Sequence, residues 1–134
     1  MREILFRGKA NSDGRDNEWV YGSLLSESEN TFPIIVRDYE NDEDCIGVNG
    51  WDTVYPETVG QYTGLNDKNG EKVFEGDIVR WDGDEISIIR YCEGVYRLCN
   101  AKGYYGVSLH NHFSYVEVIG NIHDNPELLK GGEK

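Results

Sequence analysis

Three cysteines, one methionine, three prolines and no long apolar run exclude several protein classes at once. Cys45, Cys92 and Cys99 are an odd set without CxxC spacing. They predict reduced, mostly structural thiols and not a disulfide framework. No segment approaches the length of apolar chain that spans a bilayer, and the opening MREILFRGKA carries no apolar stretch of signal-peptide length. The expectation is a cytoplasmic protein without membrane contact. Basic residues are also scarce: 13 Lys and Arg face 25 Asp and Glu, for a net charge of −12. A field of that sign repels phosphate backbones and anionic membranes, so plain nucleic-acid binding is disfavoured. No phosphate-cradling Gly loop leads into Lys and a helix, and no Ser, Cys or Lys nucleophile has a recognisable partner.

What the chain does contain is Gly, at 16 residues, and an apolar share of 38% weighted toward aromatic and β-branched side chains. That mixture fits short half-buried strands joined by tight turns. Its 134 residues suit one compact domain or two small subdomains. Residues 2–9 alternate as a first strand with Ile4 and Phe6 on one face. Residues 19–25 form an aromatic second strand, and residues 32–37 a third with Pro33 near its start, where a missing donor is best tolerated. An acidic loop follows at 38–44. Residues 51–62 are extended but interrupted, because Pro56 cannot donate to a ladder and holds Tyr55 extended. A subdomain boundary falls near Gly60 to Gly64, giving an N-terminal β subdomain at 1–63 and a second part at 64–134, with one continuous domain as the alternative.

The second part is well punctuated. Asn69-Gly70, within NDKNG at 66–70, predicts a tight hairpin turn. Gly76 and Asp77 lead into a strand at 78–81, residues 82–84 turn into another at 85–91, and Glu93-Gly94 turns into 95–100. A Gly- and Tyr-rich loop follows, then a last strand at 114–119. Strands this short and closely spaced suggest an SH3-like barrel or roll. Only the end is helical: Asp124 or Asn125 caps, Pro126 fits the first position, residues 127–130 make one turn, and Gly131 and Gly132 stop it. The predicted fold is mainly β, with short antiparallel strands and this single helical turn.

Three groups of residues resemble the YopX family of small proteins encoded by bacteriophages and prophages. They are ILFRGK at 4–9 with WVYG at 19–22; VYPETVGQYTGL at 54–65 with DKNGEKVFEGDIV at 67–79; and VIGNIHDNPELL at 118–129. Together they run the length of the chain in the family's order. The resemblance implies a mainly β protein with an SH3-like roll; it brings no catalytic residue, no cofactor and no agreed activity. Residues 26–50 and 85–112 match no family pattern, and a specific role can lie there.

Candidate chemistry is thin. Asp67, Asn69 and Gly70 echo a calcium loop but lack a third ligand before the Gly and the late bidentate acid, so a hairpin turn is the better reading. His110 and His112 sit two apart and Cys92 and Cys99 could add thiolates to a zinc site. Two hairpin registers are open for the cysteines. A two-residue turn sets Cys92 beside Val95 and Cys99 beside Ile88, and a three-residue loop pairs Ile88 with Leu98; neither brings the thiols together. The paired carboxylates Glu75 with Asp77, Asp82 with Asp84, and Asp42 with Glu43 and Asp44 lie in turn sequences that do not promise the burial acid–base work needs. Asp77 reads as a side chain that accepts backbone donors at the start of its strand.

Aromatic residues remain. Trp19, Trp51, Trp81 and Tyr91 are read first as core, whereas Tyr104 and Tyr105 are as well suited to a surface. The candidate interaction surface therefore comprises Trp51, Tyr104, Tyr105 and Phe113, with the acidic Asp42, Glu43 and Asp44. The leading expectation is a non-enzymatic phage or prophage accessory protein that binds a host or phage protein, with homo-oligomers possible. The alternatives are an acidic nucleic-acid mimic or regulator of a host nucleic-acid enzyme, and a small carboxylate-dependent enzyme.

Overall fold

The computed structural model describes residues 4–11, 16–25, 33–37, 50–81, 83, 85–100 and 106–131. Contacts divide the chain into two compact units, Met1–Gln61 and Tyr62–Lys134. Every ladder in both units is antiparallel. Among the described residues the fold is mainly β with one α-helix.

In the first unit β1 (Phe6–Lys9), β2 (Trp19–Leu25), β3 (Ile34–Arg37) and β4 (Trp51–Thr53) pair in chain order, and the start of β5 (Gly60–Asn66) joins the free side of β1. One face of this sheet carries Ala10, Val20, Ile35 and Val54, all buried, with Phe6, Leu24 and Val59 packed against them. The sheet curls far enough for Val54 to bridge Ala10, a single-residue contact and not a ladder. At Gly8 a side chain would crowd that junction, since a Cβ would lie 3.1 Å from the Val54 Cβ. Between β4 and β5 the chain makes a 3-10 turn at Pro56–Thr58, with Tyr55 extended at φ −69° and ψ 123° as the following proline requires. Thr58 secures it: its hydroxyl donates to the Tyr55 carbonyl at 2.6 Å and accepts the Lys9 N–H at 2.8 Å. The first strand differs from expectation. It begins at Phe6, and Ile4 is 69% exposed while Leu5 and Arg7 are buried, so Ile4 does not share the core face with Phe6.

The second unit continues β5 into a ladder with β6 (Lys72–Phe74) and adds a four-stranded sheet ordered β10-β7-β8-β9 from β7 (Asp77–Trp81), β8 (Glu85–Cys92), β9 (Val95–Cys99) and β10 (Glu117–Asn121). Alternation places Val79, Ile89 and Leu98 on its core face, joined by Val73, Leu109 and Val116. The barrel expected here is not closed: β10 and β9 are the two edges of an open sheet. The backbone of β10 is met by side chains and turns instead of another strand. Asp67 Oδ2 accepts the Val118 N–H at 2.9 Å, the Val116 carbonyl accepts the Lys68 N–H at 3.0 Å, and Asn125 Oδ1 accepts the Asn121 N–H at 3.3 Å. An edge so occupied cannot recruit a foreign strand.

Two local expectations are corrected, and one of the two open hairpin registers is selected. The NDKNG turn is not a two-residue hairpin: residues 67–71 loop between the paired Asn66 and Lys72, and only Gly70 of the Asn-Gly pair takes a positive φ. The reason is Asp67, whose Oδ1 accepts the N–H groups of Asn69 at 2.8 Å and Glu71 at 2.9 Å and so sets a wider turn. Glu93-Gly94 is the two-residue turn, with φ of 53° and 86°, and it fixes Cys92 opposite Val95 and Cys99 opposite Ile88. The last strand begins at Glu117 and not at Ser114, because 3-10 turns at Leu109–Asn111 and Phe113–Tyr115 occupy the approach. The helix α1 (Glu127–Gly131) follows Pro126 as expected.

Candidate functional site

The outer face of the first sheet is built by β2, β3 and β4. Register puts Ser23, Val36 and Trp51 in one row and Leu25, Ile34 and Thr53 in the next. Residues two apart on a strand share a face, so Tyr21 joins them from β2, and Arg7 lies opposite it on β1. Three large side chains here are open to solvent: Tyr21 is 45% exposed, Leu25 51% and Trp51 60%. Val36 and Ile34, half-buried, fill the ground between them. Toward β1 the buried Arg7 guanidinium and the Lys9 ammonium lie 4.6 Å and 5.4 Å from the centre of the Trp19 ring. Packed under those cations, Trp19 is half-buried.

Of the residues singled out from the sequence, Trp51 therefore lies on an open sheet face and not in the core. β4 is a three-residue strand whose inward position is already filled by Asp52, leaving Trp51 to point the other way. Tyr91 is likewise outside the core, 54% exposed and edge-on to Tyr96 with ring centres 5.0 Å apart. Trp81 keeps the core role, packed on the second unit's cluster with its indole N–H donating to Ser87 Oγ at 2.9 Å. Phe113, 36% exposed, sits in the second 3-10 turn of the second unit. Tyr104, Tyr105, Asp42, Glu43 and Asp44 lie outside the described residues. Tyr21 and Leu25 were not singled out. The signal was present in WVYGSLL, where Val20 takes the inner face and so assigns residues 19, 21, 23 and 25 to the outer one.

Two of the carboxylates that invited chemical readings, Asp67 and Asp77, hold backbone, and Asp82 and Asp84 lie outside the described residues. Asp77 is 2% exposed, a burial its turn sequence did not promise, and its Oδ2 accepts the Phe74 N–H at 2.7 Å, in line with the structural reading. Gly76 beside it takes φ +91° and donates its N–H to the Ile89 carbonyl, closing the turn onto β8. Asp67, 6% exposed, accepts three backbone donors and has no geometry left for a calcium loop. His112 packs edge-on to Trp81 at 5.8 Å, with Nδ1 3.0 Å from the Ser108 carbonyl. Among the described residues no three His, Cys, Asp or Glu side chains gather as metal ligands would. Burial pushes the Cys99 thiol above its usual range.

One titration is open to measurement. The Tyr55 phenol donates to Asp16 Oδ1 at 2.6 Å, and that hydrogen bond, with minor help from desolvation and from the charges of Asp16 and Glu57, raises its pKa above 10.0. The bond holds the neutral phenol, so its contribution is complete below pH 10 and is lost as pH rises through the raised value. Tyrosine Cζ NMR should show the Tyr55 ionisation moving to lower pH in Asp16→Ala, and an unmoved titration would contradict the hydrogen bond as its cause.

A family profile described as YopX protein matches residues 5–130. A solved structure described as the crystal structure of protein EF1440 from Enterococcus faecalis is similar, at 25% identity and a TM-score of 0.63 over 96% of this chain and 99% of that one. No curated protein matches the chain. No helix is long and apolar enough to cross a membrane among the described residues.

Proposed function

The chain belongs to the YopX protein family, and from that premise we propose that it is a non-enzymatic interaction protein of phage or prophage origin, acting in the bacterial cytoplasm. It docks another protein on the outer face of its first sheet. The observation that carries this reading is the alignment of Tyr21, Leu25 and Trp51, each roughly half exposed or more, on one face of three adjacent strands. Leaving such a group in water has no benefit to folding, and aromatic side chains around an aliphatic floor are the usual energetic centre of a protein interface. In the same reading the second unit is an open roll of the SH3-like kind that serves as scaffold.

Net charge favours a different protein over a second copy as the occupant, because two chains of −12 repel each other at low salt. The nucleic-acid-mimic alternative rests on that same charge and on no placed residue. Tagged wild-type protein expressed in lysogenic cells should retain a specific partner that the double variant Leu25→Ser, Trp51→Ser loses. Recovery of nothing above background, or equal recovery by both, contradicts the reading. Sedimentation of the purified chain separates the self-association outcome.

A further inference from the structure

A second surface, on the other unit, runs against the charge of the whole molecule. The chain contains 25 acidic residues, yet none occurs between Glu93 and Glu117, a stretch that holds Arg97, Lys102, His110 and His112. Within it Arg97 of β9 pairs directly with Arg90 of β8, and on its other side Arg97 bridges Ser108. Paired residues of an antiparallel sheet share a face, so Arg90, Arg97 and Ser108 form one row across three strand segments.

Like charges directly opposite on a sheet oppose folding, and a chain so rich in carboxylates has ample means to neutralise them. Arg80 shows this on the same sheet: its guanidinium meets the Glu117 carboxylate at 3.3 Å. Arg90 and Arg97 have no such partner among the described residues. The one polar contact of either guanidinium there is Arg97 Nη1 to the Gly106 carbonyl, at 3.5 Å. Arg90 is exposed and Arg97 half-buried. The row is flanked on one side by buried Ile88 and Cys99 and on the other by Cys92 and Val95, so the cations stand at the margin of an apolar floor where water competes less well.

We propose that Arg90, Arg97 and Ser108 bind the phosphate group of a small phosphorylated molecule. Two guanidinium forks about 5 Å apart at the backbone can each give paired N–H donors to an oxyanion, and a serine hydroxyl supplies a further donor. The −12 field selects against a long polyanion, whose remaining phosphates would meet acidic surface, and leaves a compact phosphate ester as the fitting ligand. This site is independent of the docking face on the first unit.

The test is an NMR titration of the 15N-labelled full chain with sodium pyrophosphate, and separately with inorganic phosphate, at constant ionic strength. Saturable shifts should centre on the Arg90 and Arg97 guanidinium N–H signals and the Ser108 amide, with pyrophosphate binding more tightly. Arg90→Gln and Arg97→Gln should each weaken binding at least about tenfold. Arg80→Gln, which breaks an ion pair on the same sheet, should leave it unchanged. Absence of saturable shifts in the wild-type protein overturns the proposal, as does undiminished binding by both glutamine variants. A single-stranded thymidine oligonucleotide that binds more tightly than pyrophosphate overturns the small-molecule assignment.

Discussion

Replacing Asp67 by alanine is expected to destabilise the protein by about 2–4 kcal/mol, as read by urea unfolding. The side chain is 6% exposed, and its two oxygens accept N–H groups from Asn69, Glu71 and Val118 at 2.8–2.9 Å. The first two bonds shape the loop between β5 and β6; the third fastens that loop to β10, fifty-one residues on. Alanine strands all three donors. Those of exposed Asn69 and Glu71 recover water, whereas the Val118 N–H faces the space the carboxylate filled, which sets the lower end of the range. Asp67→Asn should fall between wild type and alanine, because an amide can present one oxygen but must turn its NH2 toward a donor. A loss below about 0.5 kcal/mol for Asp67→Ala would show that the loop is held by something else.

The other large effect is expected at Gly106. A Cβ built there lies 1.9 Å from the Leu98 carbonyl oxygen and 3.1 Å from its carbon, a collision with backbone that no rotamer relieves. Gly106→Ala must therefore push residues 106–108 away from β9. That displacement breaks the 2.9 Å bond from the Leu98 N–H to the Val107 carbonyl and the bridge from Arg97 to Ser108, and it drags on Leu109, fully buried in the core. The expected cost is about 3 kcal/mol, which for a chain of this size lowers the melting temperature by roughly 10 °C. Hydrogen exchange at the Leu98 amide should accelerate in step. Unchanged melting and exchange would contradict this packing.

Much of the fold was legible because local chemistry and burial agree. In β2, residues 19–25, alternation and aromatic content give the strand and its bounds. Glu93-Gly94 was legible as a turn but left two registers of β8 against β9 open, and the positive φ at both residues selects the two-residue one. The GlyAsp pair at 76–77 was read correctly as a backbone anchor. Where local signals competed with distant ones, reading failed. Asn69-Gly70 has the composition of a tight turn, but a carboxylate two residues earlier takes the backbone donors first, and its tie to Val118 is invisible in sequence. Ser114 and Tyr115 alternate like a strand, yet consecutive 3-10 turns anchored by buried Leu109 and Val116 leave strand geometry to begin only at Glu117.

The candidate site was less legible than the fold. Trp51 was placed in the candidate surface but read first as core, because an indole's size argues for burial and only the sheet shows that Asp52 holds the inward position. Tyr21 and Leu25 become notable once β3 and β4 bring Trp51 onto their face, in the row of Ser23 between them. Several of the residues that carry the family resemblance serve as structural fasteners: Thr58 on β1, Asp67 on β10, Asp77 on the turn before β7, and Asn125 against Gly120, where a Cβ would lie 2.6 Å from the asparagine Oδ1. These four side chains hold the fold together. In the proposed reading, recognition falls to side chains that folding leaves exposed.

That division is tested most directly by measuring urea stability and partner capture together on Asp67→Ala and on Trp51→Ser. The account predicts a crossed result: Trp51→Ser unfolds within about 0.5 kcal/mol of wild type but fails to hold the partner, while Asp67→Ala loses stability by the amount given above. A Trp51→Ser protein that keeps the partner, or that unfolds as readily as Asp67→Ala, would contradict it.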